Sequence, residues 1–376
     1  MNVTLPLQLL GGISPEQFMR QYWQKKPLLI RGAVPDLKAF VSESELWALS
    51  SGDEAESRLI QKTAKNWKLT PGPLPEAMSS KKKDWTLLVQ GMEVHSPEVY
   101  SLLQQFRFVP DARLDDVMIS LAGEGGGVGP HFDSYDVFLL QAAGRRRWQI
   151  SAQKDLSLVA DAPLKILKNF KPTQEFILEP GDMLYLPPRY AHDGVALDAG
   201  CQTYSIGFRA PKAGELAREI LHRLAEEIAD GMDDDPKLCI YYEDKAQEAT
   251  AQPGLLPPEL MAFAQEAVSK ALADKVLIDQ LVGEYLTDPK AGVYFEEGAL
   301  PKSYSKILLH PATRMSFDAK HMFINGQSFQ CAGKDAKLLR KLADERQIDA
   351  IELRAGSPAL MPAIGEFAKE GWLHGQ

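Results

Sequence analysis

The chain predicts an α+β fold in three parts: a many-stranded β sandwich or barrel, a helical region, and a small C-terminal module of winged-helix type. Three observations carry this. Between Trp85 and Phe208, short apolar runs follow one another with turn residues between them, the pattern of a sandwich or barrel. Past Pro211 the apolar spacing becomes i, i+4, which is helical. In the last 85 or so residues strand and helix patterns mix again, around an Asn325-Gly326 pair suited to a tight hairpin turn.

Ser14-Pro15-Glu16-Gln17 is a helix start, with Ser14 as N-cap, Pro15 at the first helical position and Gln17 in the capping-box place. Pro27 stops that helix, and Leu28-Leu29-Ile30 follows as a short buried strand. The strands of the β region are 85–89, 117–121, 136–140, 147–150, 176–178, 183–186 and 204–208. Leu216, Ile220, Leu221, Leu224 and Ile228 then form one helical stripe, and residues from Leu260 to Leu281 a second. Asp233-Asp234-Asp235-Pro236 breaks the two. Two amphipathic helices cannot close a core alone and must pack on the β region or on a partner chain, so a dimerisation element is a reasonable reading. Two further helices are expected around Lys337–Glu345 and from Ser357-Pro358 to Lys369.

At 376 residues and 45% hydrophobic composition, the chain is long enough for two or three domains with a sizeable core. No stretch approaches the roughly 20 apolar residues of a membrane span, and Met1–Leu10 lacks a basic signal region. A cytoplasmic location without membrane partners is expected. Cys201, Cys239 and Cys331 match neither a disulfide framework nor a cysteine-rich zinc site. The net charge of -9 is concentrated in residues 211–290, with 8 Lys/Arg against 17 Asp/Glu, while residues 291–376 hold 11 against 10. A phosphate backbone is bound through a basic stripe, so no direct DNA binding is expected despite the winged-helix pattern.

His131-Phe132-Asp133 is the pattern that carries chemistry. Positions i and i+2 of a strand share a face, so one imidazole nitrogen and one carboxylate oxygen can meet at a point. A Pro180-Gly181-Asp182 turn, the strand 183–186 and Pro187-Pro188 lead to His192. Read as a hairpin, this is how a double-stranded β-helix returns a third ligand to its pocket. Two histidines and one carboxylate leave open positions on a metal and suit non-haem Fe(II). The glycines of 125–129 precede no Gly-Lys-Ser/Thr and open no helix. They therefore form no P-loop and let the backbone pass close to a neighbour.

Arg146 alternates with Trp148 and Ile150 on an apolar inward face, with Arg145 and Arg147 on the other. A buried guanidinium requires a carboxylate partner. That partner is either a protein Asp or Glu or the far carboxylate of a bound 2-oxo diacid chelating the metal by its oxo-acid end. Ser120, on a strand lining the same barrel, is positioned to add a hydrogen bond.

The segments 22–27, 85–90, 115–120, 125–133, 135–138, 144–148, 178–182 and 204–211 closely resemble the bacterial ribosomal oxygenase family (YcfD/RoxA-like) of JmjC-type 2-oxoglutarate oxygenases. The resemblance implies a cupin-like double-stranded β-helix over residues 1–210, a helical dimerisation region over 211–290 and a winged-helix-like domain over 291–376, in a homodimer. It implies Fe(II) on His131, Asp133 and His192, with Arg146 and Ser120 holding the distal carboxylate of 2-oxoglutarate, and O2 as oxidant. Thr203 is the candidate toward the metal-chelating end of the co-substrate. The reaction implied is hydroxylation of a ribosomal protein, for bacterial members at the β-carbon of an arginine in large-subunit protein L-sixteen. A cationic side chain needs acceptors at the pocket rim, and Asp115, Asp116 and Asp136, with Tyr135 to stack on a guanidinium, hold suitable positions. Histidine hydroxylation, a small-molecule cupin dioxygenase and a regulator with a vestigial barrel are the competing readings.

Overall fold

Ser14 caps the first helix, its Oγ accepting the Gln17 N–H at 3.2 Å, and α1 runs Pro15–Gln21. The structure, a computed structural model, describes residues 2–63, 66–79, 82–232, 236 and 238–376. β1 is Leu28–Ile30 and α2 is Glu43–Ser51, whose capping box pairs Ser42 with Glu45. α2, β2 (Ser57–Lys62) and β3 (Trp67–Pro71) add to the elements expected from the sequence. β4 is Trp85–Val89, followed by the short α3 (Met92–His95) and α4 (Pro97–Gln104). The remaining strands of this half are β5 Leu114–Ala122, β6 Val137–Ala143, β7 Arg146–Ser151, β8 Gln174–Leu178, β9 Met183–Leu186, β10 Ala191–Ala196 and β11 Cys201–Phe208.

They form an eight-stranded sheet in the order β1-β9-β6-β11-β5-β4-β2-β3 and a three-stranded sheet in the order β10-β7-β8. One face of the large sheet buries Val117, Ile119, Phe138, Leu140, Tyr185, Tyr204 and Phe208 with Phe18 of α1. The opposite face, with Val137, Leu139, Leu184 and Leu186, meets Trp148, Ile150 and Leu178 of the small sheet. Strands covered on both faces need apolar residues at every position, so 137–140 is an unbroken apolar run instead of an alternation. The two sheets and their interior make a double-stranded β-helix within the unit Met1–Ala210.

The 180–182 turn is not a hairpin. β8 lies in the small sheet and β9 in the large one, so the turn crosses between sheets, and Pro187-Pro188 returns the chain to the small sheet at β10. Gly181 has φ +92°, and a Cβ there would meet the Val34 carbonyl oxygen at 2.5 Å. Asp182 anchors the same turn, accepting from Arg31 Nη1 at 2.6 Å and the Gly32 N–H at 3.0 Å.

The unit Pro211–Gln376 begins with α5 (Ala213–Gly231), α6 (Pro258–Ala273) and α7 (Lys275–Thr287). Ile220 and Leu224 of the predicted stripe pack on Leu281, while Leu221 is 51% exposed. The second predicted stretch is two helices, broken where the Asp274 carboxylate caps α7 at the N–H groups of Val276 and Leu277. Asp233, Asp234 and Asp235 lie outside the described residues.

Next come β12 (Lys306–Leu309), β13 (Met315–Phe317), β14 (His321–Ile324), β15 (Gln327–Gln330), α8 (Gly333–Glu345), β16 (Gln347–Asp349), α9 (Ala350–Arg354), α10 (Leu360–Lys369) and β17 (Leu373–Gly375). Asn325 and Gly326, at φ 47° and 84°, make the two-residue turn between β14 and β15. α7 joins this module directly, since Ser328 Oγ donates to Glu284 at 2.6 Å. Among the described residues no helix is long and apolar enough to cross a membrane.

Candidate metal centre

The glycine run lies along the open edge of β10. The Gly125 N–H donates to the Ala196 carbonyl at 2.9 Å, the Ala196 N–H donates to the Gly126 carbonyl at 2.8 Å, and a Cβ on Gly127 would meet the Gly194 oxygen at 2.4 Å. Only glycine permits that approach. At the end of this edge the His131 N–H donates to the His192 carbonyl at 2.9 Å and the His192 N–H to the His131 carbonyl at 2.8 Å. His131 and Asp133 do not share a strand face: His131 forms an isolated bridge with His192, and Asp133 lies outside any strand, its carbonyl accepting from the Arg189 N–H at 2.6 Å. Ladder pairing supplies one bridge, and the Arg189 N–H bond to the Asp133 carbonyl fixes the segment beyond it.

The bridge sets the imidazole centroids 4.2 Å apart. His131 Nδ1–H donates to the Gly129 carbonyl at 2.8 Å and His192 Nδ1–H to the Tyr190 carbonyl at 2.9 Å. A carbonyl only accepts, so each ring carries its proton on Nδ1 and keeps the Nε2 lone pair free. Both Nε2 atoms face Asp133 Oδ2, at 4.0 Å from His131 and 3.5 Å from His192. The three ligand atoms lie within 4.8 Å of one another. Burial, reinforced by the neighbouring His131, pushes the His192 pKa down to about 4, so the ring is a neutral donor at physiological pH. Two imidazole nitrogens and one carboxylate oxygen on one side of a point fit a divalent transition metal such as Fe(II).

Arg146 occupies the other end of the barrel interior, 3% exposed and paired in register with Ala196. Its Nη2 reaches Ser120 Oγ at 3.4 Å, and its Nε has no acceptor among the described residues. No carboxylate among those residues forms an ion pair with it, whereas the outward Arg145 is bound by Asp198 at 3.0 Å. The Nε–H of a buried guanidinium is thus left for an external carboxylate, which fits a 2-oxo diacid. Thr203 pairs in register with Ser120, at this end and not at the histidine end, and its hydroxyl donates to Gln141 Oε1 at 2.8 Å.

Tyr135 is 41% exposed at the rim, yet burial of its hydroxyl raises its pKa, with further contributions from Asp133, Asp116 and Asp115, opposed by Arg58. These groups therefore share one electrostatic site. The Gln90 amide, oriented by its hydrogen bonds, sets its nitrogen 3.2 Å from Asp116 Oδ2 and its oxygen 2.8 Å from Arg58 Nη2. Gln90 ends one of the resembling segments, but neither it nor Arg58 could be placed beside Asp116 from sequence, because their roles depend on β4 lying between β2 and β5.

Asp136 does not belong to the rim. It is fully buried, accepting from the Tyr185 hydroxyl at 2.6 Å and Gln24 Nε2 at 3.0 Å, with Arg113 Nη2 at 3.5 Å. The side chain of the first residue before β6 points to the covered face of the large sheet, so the carboxylate ties the N-terminal segment to the barrel. Asp136→Ala is expected to cost about 3–5 kcal/mol of stability by stranding these partners. Denaturant midpoints would show it, and a change below about 1 kcal/mol would contradict this role.

A JmjC domain profile matches residues 101–216 and a ROXA-like winged-helix profile residues 270–374. The chain is 32% identical over 276 residues to the ribosomal protein uL16 3-hydroxylase of Escherichia coli, covering 73% of this chain and 71% of that one. It is 40% identical over 210 residues to a probable ribosomal oxygenase of Haemophilus influenzae, covering 54% and 52%. The solved structure of E. coli YcfD superposes with a TM-score of 0.82 at 26% identity, over 95% of this chain and 97% of that one. YcfD in complex with cobalt and 2-oxoglutarate superposes at 0.78, with the same identity and coverage. With the barrel, the winged-helix module and the two-histidine, one-carboxylate cluster in place, the chain belongs to the ribosomal oxygenase family of JmjC-domain proteins.

Proposed function

We propose that this protein is a 2-oxoglutarate- and Fe(II)-dependent hydroxylase of a ribosomal protein, acting on the β-carbon of an arginine in large-subunit protein L-sixteen. The observation that carries the co-substrate is Arg146, buried without an ion pair among the described residues inside the barrel that presents the histidine–aspartate cluster. His131, Asp133 and His192 would hold Fe(II), and Arg146 with Ser120 would hold the distal carboxylate of 2-oxoglutarate. A bound metal would couple the four-electron reduction of O2 to two two-electron oxidations, one oxygen atom entering the C–H bond and the other leaving in succinate as 2-oxoglutarate loses CO2.

The rim supports a cationic substrate. Asp115 and Asp116 offer carboxylates to a guanidinium, Gln90 orients Asp116, and Tyr135 offers a ring face. Asp116→Asn should raise KM for an arginine-containing peptide about 30-fold, the loss of one charge-assisted bond, with the 2-oxoglutarate affinity unchanged. Equal KM values in steady-state assays would remove Asp116 from substrate recognition.

Leu260, Met261, Val268 and Leu272 of α6 are exposed, and a homodimer formed through the helices of residues 211–290 would cover them. A cytoplasmic enzyme that meets its ribosomal protein by protein contact, not by binding DNA, accords with the near-neutral charge of residues 291–376. The test is incubation of the Fe(II)-loaded chain with 2-oxoglutarate, O2 and the host ribosomal protein, followed by peptide mass analysis. One added oxygen on an arginine is the expected product. Modification of histidine instead, or no modification, overturns the arginine assignment.

A further inference from the structure

Trp148 holds the barrel interior between the two functional ends. In the β7–β10 register Ile150 faces His192, Trp148 faces Gly194 and Arg146 faces Ala196. Strand residues two apart are about 7 Å apart, so Trp148 stands one step from the metal cluster and one step from the guanidinium. Its ring centroid is 5.8 Å from that of His192 and 5.9 Å from Arg146 Cζ.

The benzo edge is turned to β10: a Cβ built on Gly194 would meet Cζ3, Cη2 and Cε3 at 2.5, 2.6 and 2.8 Å. Nε1 is on the opposite edge of the indole and so points away from β10. Trp148 is 5% exposed, and its N–H finds no acceptor among the described residues. A buried indole normally has a partner for this hydrogen. Arg146 Nε, stacked beside the same ring, is likewise without one. A purely apolar role needs only the ring surface and makes no use of the donor.

We propose that Trp148 is a further co-substrate-binding residue, whose indole N–H donates a hydrogen bond to the distal carboxylate held by Arg146 and Ser120. This rests on the reading of the barrel as a 2-oxo diacid site. It makes the indole N–H a selector for diacids over 2-oxo monoacids of the same length.

The experiment compares Trp148→Phe with the wild type, using the full chain loaded with Co(II), and two ligands titrated by calorimetry. One is 2-oxoglutarate and the other is 2-oxopentanoate, a five-carbon oxo acid lacking the distal carboxylate. Trp148→Phe should bind 2-oxoglutarate about 10-fold more weakly and 2-oxopentanoate and Co(II) as the wild type does. Equal weakening of both ligands, or none of either, overturns the hydrogen bond and leaves Trp148 a packing residue. If Trp148→Phe does not fold, replacing the indole by benzothiophene keeps the shape and removes only the donor; undiminished 2-oxoglutarate affinity there overturns the proposal. A wild-type protein that binds no 2-oxoglutarate overturns the co-substrate reading itself, a result distinct from the other two.

Discussion

Asp133→Ala is expected to abolish turnover and tight binding of the metal together, while the metal-free protein keeps its thermal midpoint. Asp133 is the charged member of the cluster, and both Nε2 atoms face its Oδ2. Without it two neutral imidazoles remain, and the divalent charge is opposed by no anion among the three ligands. Losing about 4 kcal/mol or more of metal binding corresponds to at least about a thousand-fold in affinity. The fold should be indifferent, because the Asp133 carboxylate lies outside both sheets and is half-buried, and the bridge between His131 and His192 uses backbone atoms only. Metal titration of the variant decides this, and affinity within ten-fold of the wild type would remove Asp133 from the ligand set.

Arg146→Met should raise the 2-oxoglutarate requirement by roughly two to three orders of magnitude, the equivalent of about 3–5 kcal/mol for a buried carboxylate deprived of its cation. The same change should leave the metal-free protein at least as stable as the wild type. Arg146 is 3% exposed and forms no ion pair among the described residues, so the free protein carries a desolvated cation whose compensation arrives with the ligand. Methionine fills much of that volume without the charge. Unchanged apparent affinity for 2-oxoglutarate would refute the assignment. A large loss of stability in the metal-free protein would show instead that Arg146 is a structural cation.

What could be read along the chain depended on the range of the interaction responsible. The Ser14 cap, the Asn325-Gly326 turn and most strands from Trp85 onward are local, set by neighbours within a few residues. The inward face of Arg146, Trp148 and Ile150 was also legible, because a strand alternates whatever it pairs with. α2 escaped notice although its Ser42–Glu45 box is a local signal. β2 and β3 escaped for a different reason: their sequences are mixed, and their place at the edge of the large sheet comes from pairing with β4. β10 was missed because Gly194 and Asp193 make a poor strand by composition, yet it carries His192 and receives the glycine run.

The rim shows the limit most plainly. Asp115, Asp116 and Asp136 look alike in sequence, but only the register of the sheet separates the buried anchor Asp136 from the two carboxylates whose charge acts on Tyr135. The turn at Gly181 reads as a hairpin by its residues, and becomes a crossing between sheets because Val34 and Arg31 hold it from outside.

By itself, then, the sequence determined the donor types, their order and the sidedness of each strand, since those follow from residue chemistry and a two-residue period. The tertiary structure alone decided that His131 and His192 share one bridge, and that among the described residues Arg146 forms no ion pair and the Trp148 N–H has no acceptor. Each of these is a fact about which distant segments meet, and pairing across 50 or more residues leaves no periodic trace in either segment.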